Sequence, residues 1–180
     1  MSEKHLMRGI LAGIAGGLVA SWVMNEFIAG PGKKLEHAVQ SDEENIRQSR
    51  QQHQQEEAGE PAIDSTMKTA DAIVNVATGG EHLSLEGKQK GGPIVHYAFG
   101  AIMGGLYGGL AEYSSLARSG FGTTFGGVLF TGADLLAVPA FNLAPPLTEQ
   151  PASSLAKPFA AHIVYGATTE LTRRIVRALL

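Results

Sequence analysis

Four ionisable side chains fall within apolar stretches of the sequence, at similar distances along them. These residues are Glu26, His96, Asp134 and His162. If each stretch crosses a membrane as a helix, a rise of ~1.5 Å per residue places them roughly 27, 25, 21 and 24 Å from one common face. Two imidazoles and two carboxylates in one layer have the chemistry to bind a divalent metal or to pass protons, since histidine titrates near neutral pH. The layer is therefore a candidate site, with the metal left open.

Each of these residues also has a simpler interpretation. All lie near the end of their apolar stretch, where a polar side chain can reach the lipid headgroups. Ionisable groups inside a membrane are costly and tend to face partners or water. Whether the four side chains converge in space is what separates a site from four unrelated residues.

The clearest of the elements that must position these residues begins at Pro93 and ends at Tyr113. No Asp, Glu, Lys or Arg lies between Lys90 and Glu112, and about twenty such residues in a helix span the ~30 Å core of a bilayer. Three similar stretches complete the predicted fold, an all-α four-helix transmembrane bundle. The predicted spans cover residues 7–29, 93–113, 120–140 and 158–178.

Two of these spans have alternative interpretations. The basic start at Lys4 and Arg8, followed by an apolar run, also fits a secretory signal peptide, although no clean small-x-small cleavage site follows. Charged residues crowd the second half of the last span, so a helix lying on the membrane surface is the alternative there. Within that helix we expect Glu170 to pair locally with Arg173 or Arg174, three and four residues later.

Glycines recur every fourth residue along the predicted spans. Such a stripe lies on one helix face and lets another backbone approach closely, which is typical of helix packing in lipid. We predict that the stripes are packing seams through which the protein also forms homo-oligomers. The predicted packing glycines are Gly13, Gly17, Gly100, Gly104, Gly108, Gly122, Gly126 and Gly166.

A faint internal repeat runs through the predicted spans. The segment from His96 to Gly100 is similar to the segment from His162 to Gly166, and each later meets a glutamate on the same stripe. Helices 1–2 and 3–4 are therefore candidates for two copies of one hairpin, although short glycine-rich similarity also arises by chance.

A polar insert, residues 30–92, separates the first two spans. Residues 33–90 hold seven Lys/Arg and eleven Asp/Glu, whereas the rest of the chain is glycine-rich and apolar. The polar composition of residues 33–60 predicts a solvated helix or a disordered loop. A short amphipathic helix is predicted near residues 65–78, capped by Asp64 or Ser65 and ended by glycine. Residues 81–92 are predicted to be a linker, and the proline-rich residues 141–157 an irregular loop.

Composition argues against several classes of function. A net charge of -3 without a basic stripe argues against nucleic-acid binding, and the lack of cysteine excludes disulfides, thiolate metal sites and a cysteine nucleophile. The sequence has no phosphate-binding loop, dinucleotide fingerprint, His-Glu-x-x-His or Gly-x-Ser-x-Gly motif. We therefore expect neither an enzyme nor a cofactor, and an intramembrane enzyme acting on lipid ranks last.

Glycine, histidine and acidic positions in the last three spans form a wider pattern. Its members are Val95-His96-Tyr97-Ala98-Phe99-Gly100, Gly104, Tyr107-Gly108, Phe125-Gly126, Asp134, Pro139, His162, Tyr165-Gly166, Thr169-Glu170 and Arg173-Arg174. This pattern resembles the YagU-like family of small bacterial inner-membrane proteins of unknown function. The resemblance implies a bacterial inner membrane and transfers neither an activity nor established site residues.

Charge next to the spans predicts their orientation. Arginines in the 2–3 loop and at the C-terminal end favour both termini in the cytoplasm. Two functional hypotheses follow for a protein whose first partner is the lipid bilayer. The polar layer conducts or senses protons or cations, or the bundle is a non-transporting structural or stress-adaptation protein whose polar insert binds a partner.

Overall fold

A computed structural model describes residues 5–59, 61–144 and 151–180, and within these ranges all the regular secondary structure is helical. The helices in chain order are α1 (Leu6–Ala29), α2 (Pro31–Val39), α3 (Asp42–Glu57), α4 (Ser65–Thr78), α5 (Leu85–Tyr113), α6 (Thr123–Leu129), α7 (Val138–Ala140) and α8 (Ala156–Leu179). A 3₁₀ turn, Ser119–Gly122, leads into α6, a π-helix, Phe130–Ala137, joins α6 to α7, and a second 3₁₀ turn, Ala152–Leu155, leads into α8.

Three of the helical segments are long and apolar enough to cross a membrane. They are Leu6–Ala29, Leu85–Tyr113 and Ser119–Ala140. Helix α8 is outside this set, because Glu170 and the arginines that follow it lower the hydropathy of its second half. The chain is therefore consistent with a multi-pass membrane protein.

Helix α1 is central to the bundle. It packs along α5 on one side and α8 on the other, and α6 packs on α8. The buried cluster is small and consists of Ala20, Met24, Leu129, Ala161 and Tyr165. Many large apolar side chains point outward instead, among them Trp22, Ile94, Ile102, Leu106, Leu110 and Val128. A surface of large apolar groups around an interior of small ones suits a helical bundle in lipid.

Several glycines lie where two helix backbones meet. A methyl group at Gly13 would overlap the carbonyl oxygen of Gly104, and one at Gly17 would overlap that of Gly100. The contact of α6 with α8 is equally close, because a methyl group at Gly126 would overlap the carbonyl oxygen of His162. At these crossings any side chain larger than hydrogen would push the helices apart.

Helix α5 begins eight residues earlier than position 93, where the second span was predicted to start. Ser84 caps it by accepting a hydrogen bond from the Gly87 backbone N–H (3.2 Å), and Pro93 lies inside the helix. The prediction of a linker over residues 85–92 is therefore wrong. Contacts with α4 hold this polar extension helical, since Gly91 and Gly92 let that helix pack directly on it.

Helix α4 is fixed to the extension of α5 by Asp71. Its carboxylate accepts from the Leu83 backbone N–H (2.7 Å) and lies 3.0 Å from both Lys88 Nζ and His82 Nδ1. The hydrogen bond from Lys88 lowers the pKa of Asp71 to about 2. Because the depressed pKa means that folding favours the ionised carboxylate, this docking contact depends on the charge of Asp71.

Between residues 31 and 57 the insert forms two helices, which agrees with the solvated helix that was one of the two alternatives predicted there. Ser41 and Glu44 form a capping box that starts α3, a helix with no buried residue. Near the start of α8, Lys157 Nζ donates to Glu36 of α2 (2.5 Å) and Ser153 Oγ donates to Glu44 (2.8 Å). The insert is thus tied to the bundle through α2 and the first turn of α3, while the rest of α3 has no buried residue. The loop predicted over residues 141–157 falls partly on 145–150, outside the described residues.

Candidate functional site

Three of the four residues of the predicted polar layer lie in one region, together with Ser21 of α1. We call Ser21, His96, Asp134 and His162 the outer polar site. His162 Nδ1 lies 3.7 Å from Asp134 Oδ2 and 2.9 Å from the carbonyl oxygen of Pro158. His96 is within electrostatic reach of both Asp134 and His162 and lies against the Ser21 backbone. Residues from all four long helical segments therefore contribute to one polar region.

Two polar atoms of the outer polar site are buried without a partner. Among the described residues, neither Ser21 Oγ nor His96 Nε2 makes a hydrogen bond. Ser21 itself is only 1% exposed. Buried polar groups in proteins are nearly always satisfied, so unpaired ones call for an explanation such as a ligand, an ion or water. Ser21 lies against His96, and His96 is within electrostatic reach of Asp134 and His162.

Asp134 is presented by an unusual piece of backbone. It lies within the π-helix Phe130–Ala137, whose wider turn interrupts the α-helical hydrogen bonding of the segment Ser119–Ala140. Phe130, at the start of the π-helix, packs its ring 5.6 Å from that of His162. The side chain of Asp134 is 37% exposed, so the site is reachable from outside the bundle. Short π-helical turns within α-helices are frequent at functional sites.

Glu26 stands apart from the outer polar site. Its side chain is exposed, and no hydrogen bond or ion pair among the described residues joins it to His96, Asp134 or His162. Glu26 is five residues beyond Ser21 on α1 and points in a different direction around the helix axis. Within the described ranges no group of three His, Asp or Glu residues is arranged to hold a metal ion.

A second polar region lies toward the opposite end of the bundle and was not predicted as a site. We call Tyr107, Glu112, Glu170, Arg173 and Arg177 the inner charged cluster. Glu170 is fully buried and accepts from the Tyr107 hydroxyl (2.8 Å) and from Arg173 Nε (2.7 Å). Glu112 accepts from Arg177 Nε (2.9 Å). The cluster thus joins α5 to α8 through buried charge-assisted hydrogen bonds, which are among the stronger kind.

Part of the inner charged cluster had a signal in the sequence. The local pairing of Glu170 with Arg173 and Arg174 was predicted from their spacing, and both pairs are present at 2.7 and 2.6 Å. The pair between Glu112 and Arg177 joins residues far apart in the chain and has no local pattern. A repeated motif, Tyr-Gly-x-x-x-Glu, could have indicated that Glu112 belongs to a site like that of Glu170. The motif occurs at residues 107–112 and again at 165–170.

Aromatic rings separate the two polar regions. Phe125 stacks on Tyr107 with ring centroids 4.5 Å apart and lies 6.2 Å from the ring of Tyr165. The Tyr165 hydroxyl donates to the carbonyl oxygen of Gly100 (2.6 Å), within the α1–α5 seam. The interior therefore alternates along its length between the inner charged cluster, an aromatic layer and the outer polar site.

Comparison with known proteins identifies a family that includes most of the residues of the two polar regions. No curated protein and no solved structure matches the chain. The family described as "Protein of unknown function (DUF1440)" matches residues 75–171, more than half of the sequence. The matched range includes His96, Asp134, His162 and both buried glutamates, whereas Glu26 and α1 lie outside it. The chain therefore belongs to the uncharacterised DUF1440 family.

Proposed function

We propose that this protein is a four-span integral membrane protein whose outer polar site exchanges protons or small cations. The observation that carries the proposal is the convergence of Ser21, His96, Asp134 and His162 from four helical segments, with two buried polar atoms left unpaired. Ionisable groups inside a membrane tend to mark ion or proton pathways. Helix α8 is the fourth span in this proposal, with its arginines at the headgroup level.

The geometry assigns a role to each nitrogen of His162. A carbonyl oxygen can only accept, so the contact with Pro158 requires a proton on Nδ1. In the neutral ring Nε2 is then the free acceptor, and it is the atom that gains or loses a proton. Asp134 lies close enough to stabilise the imidazolium that forms. His96, with an unpaired Nε2, is the second acid–base group within reach.

Flux measurements in liposomes test this function. Purified protein is reconstituted with a pH-sensitive dye inside, a potassium diffusion potential is imposed, and proton entry is followed. We expect the parent protein to conduct and the double variant His96→Ala/His162→Ala to fall to the level of empty liposomes. Glu26→Gln is the matched control, because Glu26 is exposed and apart from the site, and it retains the parental rate.

Two results would contradict the proposal. One is an absence of flux in the parent protein, whichever cation is supplied, and the other is unchanged flux in the double histidine variant. Replacing sodium, the balancing cation, by an impermeant cation on both sides while the potassium gradient is kept separates proton exchange from sodium exchange, because a proton pathway keeps its rate when sodium is replaced.

A second candidate function is a non-transporting structural or stress-adaptation protein in which the bundle is an anchor. The absence of any buried residue in α3, and the exposure of its second half, favour it. Deleting residues 40–58 would then abolish capture of the partner and leave membrane insertion intact. Loss of insertion in that deletion would contradict the assignment of α3 as a separate binding element.

Location and assembly belong to the same proposal. The YagU-like resemblance supports a bacterial inner membrane, and the arginines at the end of α8 support cytoplasmic termini. The close glycine contacts support packing seams along Gly13, Gly17, Gly104 and Gly126. We propose a homo-oligomer in the lipid bilayer, with no enzymatic activity, no cofactor and no nucleic-acid partner. Crosslinking in native membranes tests the oligomer, and cysteine-labelling of introduced terminal cysteines tests the orientation.

A further inference from the structure

Exposed arginines gather at the end of the bundle that holds the inner charged cluster. Arg8 near the start of α1, Arg118 in the α5–α6 connection and Arg174 near the end of α8 are all exposed. The segments that carry them are held together, because Glu112 of α5 accepts both from Arg177 of α8 and from the backbone N–H of His5 just before α1 (3.3 Å). These arginines therefore share one face of the protein.

The acidic side chains of the same end do not offset this charge at the surface. Among the described residues of this end they are Glu112 and Glu170, whose side chains are 7% and 0% exposed. Each is already bonded to an arginine of α8. The surface that the described residues present here therefore carries arginine without an exposed Asp or Glu side chain.

Arg174 is held in an orientation suited to an anion. Its Nε donates to Glu170 (2.6 Å), and its guanidinium lies over the ring of Phe121, 4.7 Å from the centroid. Among the described residues its two Nη groups have no hydrogen-bond partner, and the side chain is 53% exposed. A planar guanidinium fixed by one carboxylate and one ring presents its remaining N–H groups as a fork, which matches the oxygens of a phosphate.

Apolar side chains lie beside these arginines. Phe121 and Leu116, both in the connection between α5 and α6, are 42% and 77% exposed. Phe121 adopts a φ of 55°, in the left-handed region that a bulky residue rarely occupies, so the turn holds its ring in this exposed position. A basic and apolar surface at the end of membrane spans fits a molecule that has a phosphate and acyl chains together.

We propose that this basic face binds the phosphate group of anionic phospholipids. Arg8, Arg118 and Arg174 supply the charge, Phe121 orients Arg174, and Phe121 and Leu116 enter the boundary between headgroups and acyl chains. Arginines close to an anionic leaflet each add to lipid affinity, and zwitterionic lipids offer no net charge for them. The inference rests on the membrane location and is independent of proton or cation exchange at the outer polar site.

The test uses the full-length protein in nanodiscs of phosphatidylcholine alone or with phosphatidylglycerol added. Retention of phosphatidylglycerol is measured by native mass spectrometry, and thermal stability is measured in both discs. The variant Arg8→Gln/Arg118→Gln removes two exposed charges that have no partner among the described residues, so it leaves the inner charged cluster intact. Its matched control, Lys33→Gln/Lys34→Gln, removes the same charge from two exposed residues of α2.

We expect the parent protein to retain phosphatidylglycerol and to be more stable in discs that contain it. The double arginine variant loses about ten-fold in apparent affinity, since two surface charges near anionic lipid are each worth several-fold. Arg174→Lys, which keeps the charge but cannot present a fork, lowers retention without abolishing it. Equal retention of both lipids by the parent overturns the proposal, and so does a loss in the lysine control as large as that in the arginine variant.

Discussion

The buried carboxylate of Glu170 makes the strongest prediction for stability. Replacing it by Gln keeps the shape of the side chain and removes its charge, so no cavity forms and the effect is electrostatic. Arg173, only 5% exposed, then loses its main counter-charge. Removing one partner of a buried ion pair costs about 3–5 kcal/mol. Since Arg173 Nη1 also lies 3.8 Å from Glu112, which compensates in part, we expect a loss of about 3 kcal/mol.

The free energy of unfolding is measured by titrating the protein in mixed micelles with a denaturing detergent and following far-ultraviolet circular dichroism. The control is Glu86→Gln, which removes an equivalent charge from an exposed pair with Lys90, 2.6 Å apart with both side chains at least 74% exposed. Exposed pairs contribute about 0–1 kcal/mol. The double variant Glu170→Gln/Arg173→Met recovers part of the loss, because no uncompensated charge remains. A cost for Glu170→Gln no larger than that of the control would refute the reasoning.

Two further predictions concern a helix seam and the insert. Gly104→Ala brings a methyl group onto the carbonyl oxygen of Gly13, so we expect the free energy of unfolding to fall by about 1–3 kcal/mol. The control is Gly132→Ala, where the methyl group meets no atom within 4 Å. In the same titration this control changes the free energy of unfolding by less than about 1 kcal/mol. The hydrogen bond from Lys88 lowers the pKa of Asp71 to about 2. Because the pKa of an aspartate in an unfolded chain is about 3.9, the stabilisation from Asp71 is present above that pH and is lost as the pH falls toward the folded pKa. Pepsin cleavage within residues 61–90 therefore rises steeply between about pH 4 and pH 2 relative to Asp71→Asn, and parallel profiles for the two proteins would contradict this.

Local signals in the sequence predicted the elements whose ends are set by local chemistry. The helix expected near 65–78 runs from Ser65 to Thr78, since Asp64 caps its first turn and Gly79, with φ 76°, ends it in the left-handed conformation. The start of α5 could not be found in this way. Residues 85–92 read as a linker because they are polar and contain three glycines, and only contacts with α4 make them helical.

The outer polar site shows which features of a site the helical rise per residue can predict and which it cannot. The rise per residue gives the depth of a side chain, and it placed His96, Asp134 and His162 at one level. The direction around the helix axis depends on which face packs inward, and this decides that Ser21 rather than Glu26 represents α1. The π-helix adds a further rotation at Asp134 that no regular period predicts.

The contacts between helices give the internal repeat a different register from the one based on His96 and His162. Gly9 packs on Glu112 of α5, and Gly122 packs on Glu170 of α8. Aligning these two contacts superimposes the two Tyr-Gly-x-x-x-Glu motifs, and it shifts the second hairpin by about two helical turns. The same alignment pairs Gly13 with Gly126, each of which abuts a backbone carbonyl of the facing helix.

This register also accounts for the composition of the outer polar site. The offset that pairs Gly13 with Gly126 also pairs Ser21 of α1 with Asp134 of the π-helix. One position in two copies of a hairpin thus supplies two of the four groups of the site, a hydroxyl from one half and a carboxylate from the other. The histidines have no such relation, because His162 aligns with Gly104, where α1 approaches too closely for any side chain. The packing scaffold is therefore repeated in the two hairpins, whereas the acid–base groups placed on it are not.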